Sequence, residues 1–250
     1  MQEQYEKMVD YYDALYSFKD YREEADKLHQ LICKNKRSDG MALLDVACGT
    51  GQHLFHLEKH YQVEGLDLNP QMLEIARQRC AEVLFHQGNM LDFELGRRFD
   101  VVTCLFSSIG YVKNLAELKL AINNMACHLL PGGVLIVEPW LSPDNYISGG
   151  PHALFVDEPE LKIARMNISE EHDGVAILNM HHLVARPEGI EYFVERHELV
   201  LFTDEQYRQA FEASGLGYIF DPHGLTGRNL LIGLQPMERE AAWPYHHSDR

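Results

Sequence analysis

In this chain of 250 residues, the stretch "LLDVACGTGQHL" from Leu43 to Leu54 gathers residue types that hold nucleotide-like ligands. An apolar run ends in Asp45, and Gly49 and Gly51 follow on either side of a threonine. A strand-to-helix turn with two glycines lets backbone amides at a helix N-terminus come close to a ligand. Dinucleotide folds use such a turn for pyrophosphate, with the fingerprint G-x-G-x-x-G, but here the third glycine position is Leu54. A fixed carboxylate at Asp45 repels pyrophosphate and suits a ligand that carries positive charge. Asp67 ends the next apolar run, "QVEGLDLN", where a carboxylate accepts both hydroxyls of an adenosine ribose. Met72 comes next, placed to pack on an adenine, and "HQGNMLDF" sets Asn89 and Met90 along the edge of the base.

S-adenosylmethionine fits these demands, with a sulfonium, an ammonium group and no phosphate. Taken singly, each residue reads equally well as a helix cap or a core contact. Taken in order, on successive strand ends, they point to one ligand. Methyl transfer from a sulfonium is an in-line displacement. Positioning alone contributes up to about 7–11 kcal/mol to such a step, and the acceptor must present a lone pair.

The elements that would carry these residues follow from periodicity. A helix is predicted from Tyr21, with Ala25, Leu28 and Ile32 on one face. "ALLDVA" is a strand, and a helix with Leu54 and Leu57 follows the glycine turn. "NPQMLEIARQRC" opens with Asn69 as N-cap and Pro70 in the first helical position. "EVLFHQ" and "FDVVTCLFSS" are two more strands. A helix from Asn114, with Leu115, Leu118, Ile122, Met125 and Leu129 on one face, is ended by "PGG" before the strand "VLIVEPW". Five apolar strands alternating with helices predict an α/β fold: a Rossmann-like, mostly parallel seven-stranded sheet with helices on both faces. Ligands bind such sheets beyond the carboxyl ends of the strands.

After Trp140 the pattern changes to partial period-2 alternation in "VAILNMHHLVA" and "IEYFVERHELVLF", with turn signals "HDG" and "RPEG". This predicts an inserted antiparallel β-meander. A helix with capping-box spacing at Thr203 and Gln206 follows, ending near Gly215, and "GYIF" and "NLLIGLQ" return to the main sheet. The expected organisation is a tyrosine-rich segment 1–20, a cofactor-binding core 21–140 and 201–236, an inserted subdomain 141–200, and a charged, loosely ordered tail 237–250. In the first segment Tyr5, Tyr11, Tyr12 and Tyr16 lie at roughly helical spacing. Their rings either pack on the core or close over a ligand as a lid.

The net charge of −16 argues against nucleic acid or anionic membrane as a partner. Five cysteines without CxxC pairing read as small core residues of a reducing compartment, not as a disulfide frame or metal site. No apolar run reaches the ~18 residues needed to span a bilayer, so a cytoplasmic location is expected.

The motifs "LLDVACGTGQHL", "VEGLDLNPQMLEIAR", "LFHQGNMLDF" and "LLPGGVLIVEPW" resemble the ordered motifs of class I S-adenosylmethionine-dependent methyltransferases. The resemblance is nearer still to bacterial N-methyltransferases of nucleotide-linked (dTDP) amino sugars in macrolide deoxysugar pathways. "KDY" at Lys19, "FSSIGY" at Phe106, "EPW" at Glu138, "RHELVLF" at Arg196 and "GLTGRNLLIG" at Gly224 carry it over nearly the whole chain. It implies that S-adenosylmethionine is the methyl donor and S-adenosylhomocysteine the product. Asp45, Gly49 and Gly51 would hold the methionyl part, Asp67 the ribose, and Tyr12 and Tyr21 would close over them. Ala47, His53, Leu68, Met72, Asn89, Met90 and Leu105 complete the expected cofactor site. Tyr5, Phe106, Ser107, Trp140 and Arg228 are expected at the substrate, and Tyr111, His181 and His197 at the reacting amine. A neutral phenol is a poor base, so Tyr111 would orient the amine while a histidine takes the proton.

Two positions depart from the family pattern. Asn89 stands where relatives tend to have Asp, and its amide oxygen can still pair with the adenine amino group. "TGRN" replaces "SGRG", which loosens the inference about the sugar more than that about methyl transfer. The partner implied is a small-molecule amine, and the resemblance leaves a homodimer open. Three rival readings remain at this level. One keeps the cofactor but changes the acceptor to an amino acid, a peptide-like metabolite or a hydroxyl. Another is a non-catalytic module that binds S-adenosylmethionine, against which Tyr111 and Arg228 count. The third is a nicotinamide oxidoreductase, against which Asp45 counts.

Overall fold

A computed structural model of the chain describes residues 8–237. Five strands, β1 (Ala42–Val46), β2 (Gln62–Asp67), β3 (Leu84–Gln87), β4 (Phe99–Cys104) and β5 (Leu129–Val137), pair in parallel. With β10 (Gly217–Asp221) and β11 (Leu230–Leu234) they form one seven-stranded sheet in the order β10-β11-β5-β4-β1-β2-β3. Only β11 runs against the rest, antiparallel to both β5 and β10. The connection from β1 leaves to one side for β2 and later returns to the other for β4. A crevice therefore opens beyond the carboxyl ends of β1, β2 and β4, at the topological switch point.

Strand alternation divides the core. Leu43 and Leu44 are both fully buried, but Leu43 packs with α2 (Tyr21–Asn35), α3 (Gln52–Leu57) and α4 (Pro70–Arg79) on one face. Leu44 packs with α5 (Leu115–Cys127) and α6 (Asp204–Ala213) on the other. The helices start where polar side chains satisfy the first free amides. Asn69 accepts from the Gln71 amide at 2.8 Å ahead of Pro70, and Thr203 and Gln206 form a capping box. Each such cap contributes about 0.5–2 kcal/mol.

One expected boundary moves. The helix α5 stops at Cys127 rather than at "PGG", and Leu129 already pairs with Phe99 as the first residue of β5. His128 makes the stop: Nδ1–H donates to the Asn124 carbonyl at 2.9 Å, and Nε2 accepts from the Leu95 amide at 3.3 Å. Pro131, Gly132 and Gly133 lie inside β5, where the register against β4 shifts between Phe99 and Val101. Leu129 continues the apolar spacing of α5, so periodicity alone carries the helix one turn too far.

The meander is a separate four-stranded antiparallel sheet, β6 (Pro151–Glu158), β7 (Leu161–His172), β8 (Val175–Arg186) and β9 (Gly189–Val200), in sequential order. "VAILNMHHLVA" and "IEYFVERHELVLF" are its last two strands, and Asp173 and Gly174, both at positive φ, make the tight turn into β8. A short helix α1 (Tyr12–Leu15), led by the 3-10 turn Val9–Tyr11, lays Tyr11 and Leu15 against Val156, Ile163, Val184 and Phe193 of this sheet. Asp13 of α1 accepts from Thr50 at 2.8 Å and pairs with Arg79, tying the segment to the glycine turn. The tyrosines of this segment divide between two environments. Tyr11 packs as core, while Tyr12 faces the crevice. Tyr5 lies outside the described residues.

All five cysteines are free. Cys80 and Cys104 are buried as expected, but Cys48 and Cys127 are half-buried and Cys33 is exposed, because α2 turns that position to solvent. Among the described residues no helix is long and apolar enough to cross a membrane, and no cluster of His, Cys, Asp and Glu is placed to hold a metal ion.

Candidate active site

The β1–α3 turn bends through three residues at positive φ: Ala47 at 60°, Gly49 at 54° and Gly51 at 76°. At Gly49 a side chain would project into open space, so the backbone itself borders the crevice. Asp67 ties this turn to the next one. Its Oδ2 accepts from the Gly49 amide and its Oδ1 from the Asn69 amide, each at 2.8 Å. Burial raises the pKa of this carboxyl, and the two amides oppose that. The site of two strand ends is thus stitched by one acid.

Two connected cavities occupy the crevice. The first, about 740 Å³ and open at its mouth, is lined largely by apolar groups: Tyr12, Leu66, Leu68, Met72, Met90 and the backbone of Gly49 and Gly88, with Asp67 and Asn89 as polar anchors. Asn89 Oδ1 accepts from the Leu91 amide at 3.1 Å. Only the second lone pair of that oxygen, together with the Nδ2 donor, remains for a base edge. The second cavity, about 1130 Å³, lies between the sheet ends and the inner face of the meander, with Asp45, Tyr21, His53, Leu105, Phe106, Ser107, Trp140, His197 and Arg228 in its wall. Ala47, Gly49, Tyr12 and Tyr111 border both. Nearly all of the sequence-predicted positions therefore meet around one two-chambered crevice. Gly51 borders neither chamber. It caps α3, where a Cβ would press on Ala76 at 3.3 Å.

Asp45 is the most telling group. It is 2 % exposed and accepts from Thr103 Oγ1 at 2.7 Å. Burial pushes its pKa up to about 6, against the pull of His53 and the Thr103 hydroxyl. A carboxylate so poorly solvated favours a cationic partner. Tyr12 and Tyr21 are held as neutral phenols, first by burial and then by neighbouring tyrosines and carboxylates. His53 pairs with Glu24 at 2.9 Å, and Glu24 also pairs with Lys19 at 2.8 Å. Burial pulls the Glu24 pKa upward, but bonds from His53 and Lys19 win and hold it low.

On the far wall, Glu138 ends β5 with no exposed surface. Its Oε2 accepts from the Phe106 amide at 2.7 Å, and its Oε1 pairs with Arg228 at 3.3 Å. Phe106 and Ser107 have φ of 50° and 65°, left-handed values that are strained for residues with side chains. Glu138 and the Ser107 hydroxyl, which donates to the Pro139 carbonyl at 3.1 Å, hold them there. Arg228 is set by the turn at Gly224, where a Cβ would overlap the Arg228 carbonyl oxygen.

Tyr111 Oη and His197 Nδ1 share a hydrogen bond of 2.9 Å at the junction of the chambers. His181 is elsewhere. It sits on the outer face of the meander, exposed, hydrogen-bonded to Tyr192 at 2.6 Å, so it is withdrawn from the amine site. Side chains alternate along β8, and Leu178, Met180 and His182 take the inner face. Sequence reasoning also left Glu138, Glu24, Arg165, His182 and Glu195 out of the site. Glu138 carried a signal of the same kind as Asp45, an acid closing an apolar strand.

A Rossmann-like sheet whose first two parallel strands carry a buried acid, Asp45, and a crevice-lining acid, Asp67, at their carboxyl ends has the build of a class I S-adenosylmethionine-dependent methyltransferase. A family profile described as "Methyltransferase domain" matches residues 43–133. A relative from Streptomyces fradiae, dTDP-3-amino-3,6-dideoxy-alpha-D-glucopyranose N,N-dimethyltransferase, is 45% identical over 218 residues, covering 86% of this chain and 85% of its own. The crystal structure of Streptomyces venezuelae DesVI superposes with a TM-score of 0.87 at 38% identity, covering 92% of this chain and 98% of that one. S-adenosylmethionine-bound CalS10, an amino pentose methyltransferase from Micromonospora echinaspora, gives 0.82 at 38% identity, over 90% and 96%. The chain belongs to the family of S-adenosylmethionine-dependent N-methyltransferases that these proteins represent.

The residues fit the cofactor. Asp45 would offer a buried anion to its cationic end, Gly49 bare backbone beside it, and Asp67 and Asn89 polar contacts to the nucleoside. When bound, S-adenosylmethionine supplies an electrophilic methyl group whose S–C bonding pair stays on sulfur, leaving S-adenosylhomocysteine.

Proposed function

We propose that this enzyme N-methylates the amino group of a dTDP-linked amino deoxysugar. The observation that carries this reading is the pair of arginines in the second chamber of a protein with a net charge of −16. Arg228 spends one donor on Glu138. Arg165, on the inner face of β7, donates to the Tyr16 hydroxyl at 3.1 Å and has no carboxylate partner among the described residues. Two guanidinium forks suit the oxygens of a diphosphate. A free amine would not call for them, whereas the relatives' nucleotide-linked sugars would. Tyr111 and His197 line the same chamber, where the amine would meet the methyl donor. In this reading α1, with the 3-10 turn Val9–Tyr11 ahead of it, covers the crevice and turns Tyr12 toward it. His53, Tyr12, Tyr21 and Leu105 belong to the cofactor side.

The test is turnover. Purified protein, S-adenosylmethionine and a panel of dTDP-linked 3-amino and 4-amino deoxysugars should give products heavier by one or two methyl groups in mass spectrometry. The free amino sugars should react far more slowly. Equal turnover of the free sugars, or methylation of amino acids or peptides instead, would remove the nucleotide from the proposal.

The outer face of the meander supports a homodimer. Phe155, Met166, Ile168, Leu183, Ile190, Tyr192 and Val194 are all exposed there. The rest of the surface is acidic enough to repel a second copy, so association through this apolar sheet, packed face to face about a two-fold axis, is the arrangement we favour. Val194→Lys is expected to halve the mass found by light scattering without lowering the melting temperature. An unchanged mass would place the contact elsewhere. Its free cysteines suit a reducing, cytoplasmic setting.

A further inference from the structure

Behind Tyr111 and His197 the meander buries a second layer of titratable groups. Glu195 precedes His197 by two residues on β9, so both project from the inner face. His182 lies on β8 opposite Phe193 and stacks flat on that ring, centroids 4.7 Å apart and planes within 6°. The side chains of His182, His197 and Glu195 are 0%, 3% and 6% exposed. Glu195 Oε2 stands 3.8 Å from His197 Nε2 and 3.5 Å from His182 Nε2. These are ion-pair distances rather than hydrogen bonds, as is common for catalytic groups before substrate binds.

We propose that Glu195 is a positioning residue for methyl transfer: it orients His197 so that Tyr111 can pass a proton from the methylated amine to His197 Nδ1. The inference rests on N-methylation as the reaction. With Nε2–H turned to Glu195, Nδ1 accepts from the Tyr111 hydroxyl, and it is the Tyr111 oxygen that meets an N–H of the bound amine. Once the new N–C bond forms, the nitrogen is cationic and one of its N–H protons becomes acidic. That proton moves to Tyr111 Oη as the Tyr111 proton moves to His197 Nδ1. The resulting imidazolium sits beside the Glu195 carboxylate and returns its proton to water by the same path when product leaves.

His182 does not compete for the proton. Burial, with help from Arg165 and His197, pushes its pKa down to about 4, so it remains a neutral wall. Among the described residues, the charged and titratable groups around the Tyr111–His197 pair include Tyr12 and Tyr16 from the N-terminal segment, Tyr21 from α2, Asp45 from β1, His53 from α3, Arg165 from β7, His182 from β8, Glu195 from β9 and Arg228 from the opposite wall. Glu195 is the carboxylate that stands within ion-pair distance of the His197 ring, at 3.8 Å. A histidine that loses that anion holds its proton less tightly and loses the preference for Nε2–H.

The experiment combines ¹⁵N-detected imidazole NMR with kinetics on the full chain. In wild type bound to S-adenosylhomocysteine, His197 should be the Nε2–H tautomer. In Glu195→Gln that preference should fall, and the acid limb of the kcat/KM profile should move to lower pH. General-base help is worth roughly 10²–10⁴-fold, so kcat should drop about 10- to 100-fold. Affinity for S-adenosylhomocysteine should not change, and Glu195→Asp should recover part of the rate. Unchanged kcat, pH limb and tautomer in Glu195→Gln would overturn the proposal, as would an Nδ1–H His197 in wild type, which decides the matter even if the variant does not fold. Wild type that methylates no amine while His197 shows Nε2–H would count against the substrate reading and leave this orientation standing.

Discussion

Asp45→Asn is expected to lose cofactor binding and yet to melt at a higher temperature than wild type. The two effects share one cause. Asp45 is buried, and burial raises its pKa from 3.8 to about 6. A raised folded-state value means that proton uptake stabilises the fold below pH 4 and that this contribution is lost as pH rises through about 6. At pH 7 the ionised carboxylate therefore costs on the order of 3 kcal/mol relative to a neutral group of the same shape. Asparagine keeps an oxygen to accept from Thr103 but carries no charge. What it removes is the anion that a cationic ligand requires. A charge-assisted hydrogen bond contributes roughly 1.5–3 kcal/mol, and a broken buried pair costs more, so affinity for S-adenosylmethionine should fall by about 100-fold or beyond. Calorimetric titration and thermal melts on the same preparation decide it. Retained affinity would mean that Asp45 is a structural acid, and a lower melting temperature would mean that its burial is compensated by contacts other than the Thr103 hydrogen bond and the charge of His53.

The legibility of the sequence was uneven for physical reasons. Asp45, Asp67, Asn69 and Thr203 announce themselves because strand ends and helix starts are local: an acid after an apolar run, or a cap before a periodic one, needs no distant partner to be read. The end of α5 failed because Leu129 satisfies helical spacing while His128, through Asn124 and Leu95, enforces the stop. The meander was harder. Both faces of β8 carry apolar residues, Leu178 and Val184 inside and Leu183 outside, so alternation reveals a strand without saying which face is buried. The resemblance put His181 in the site, and alternation alone could not show that this position faces outward while His182 faces in. β6 and β7 alternate too weakly for their period to stand out, and Arg165 went unnoticed with them. Glu138 carried the local signal of an acid after an apolar strand, but its pairing with Arg228, like that of Glu195 with His182, is made between separate elements and is not encoded by spacing along the chain.

Arg228 is where a structural role and a substrate role can be separated by experiment. It pairs with Glu138, which is fully buried and already accepts from the Phe106 amide. Arg228→Met should destabilise the protein by about 1–3 kcal/mol, because a buried carboxylate loses one of its two partners. The loss stays below that of a sealed ion pair because the guanidinium is 32% exposed. Adding Glu138→Gln removes the stranded charge, and the double variant should regain roughly 1 kcal/mol through coupling between the two positions. Kinetics should not follow stability. If the guanidinium also grips the substrate diphosphate, both variants should show KM for a dTDP-linked amino sugar raised about 10- to 100-fold, with affinity for S-adenosylhomocysteine unchanged. Recovery of KM in the double variant would reduce Arg228 to a strut for the strained Phe106–Ser107 turn. A KM that stays high while the melting temperature recovers would tie the arginine to the substrate, since the fold would then be intact and only the anion-binding fork missing.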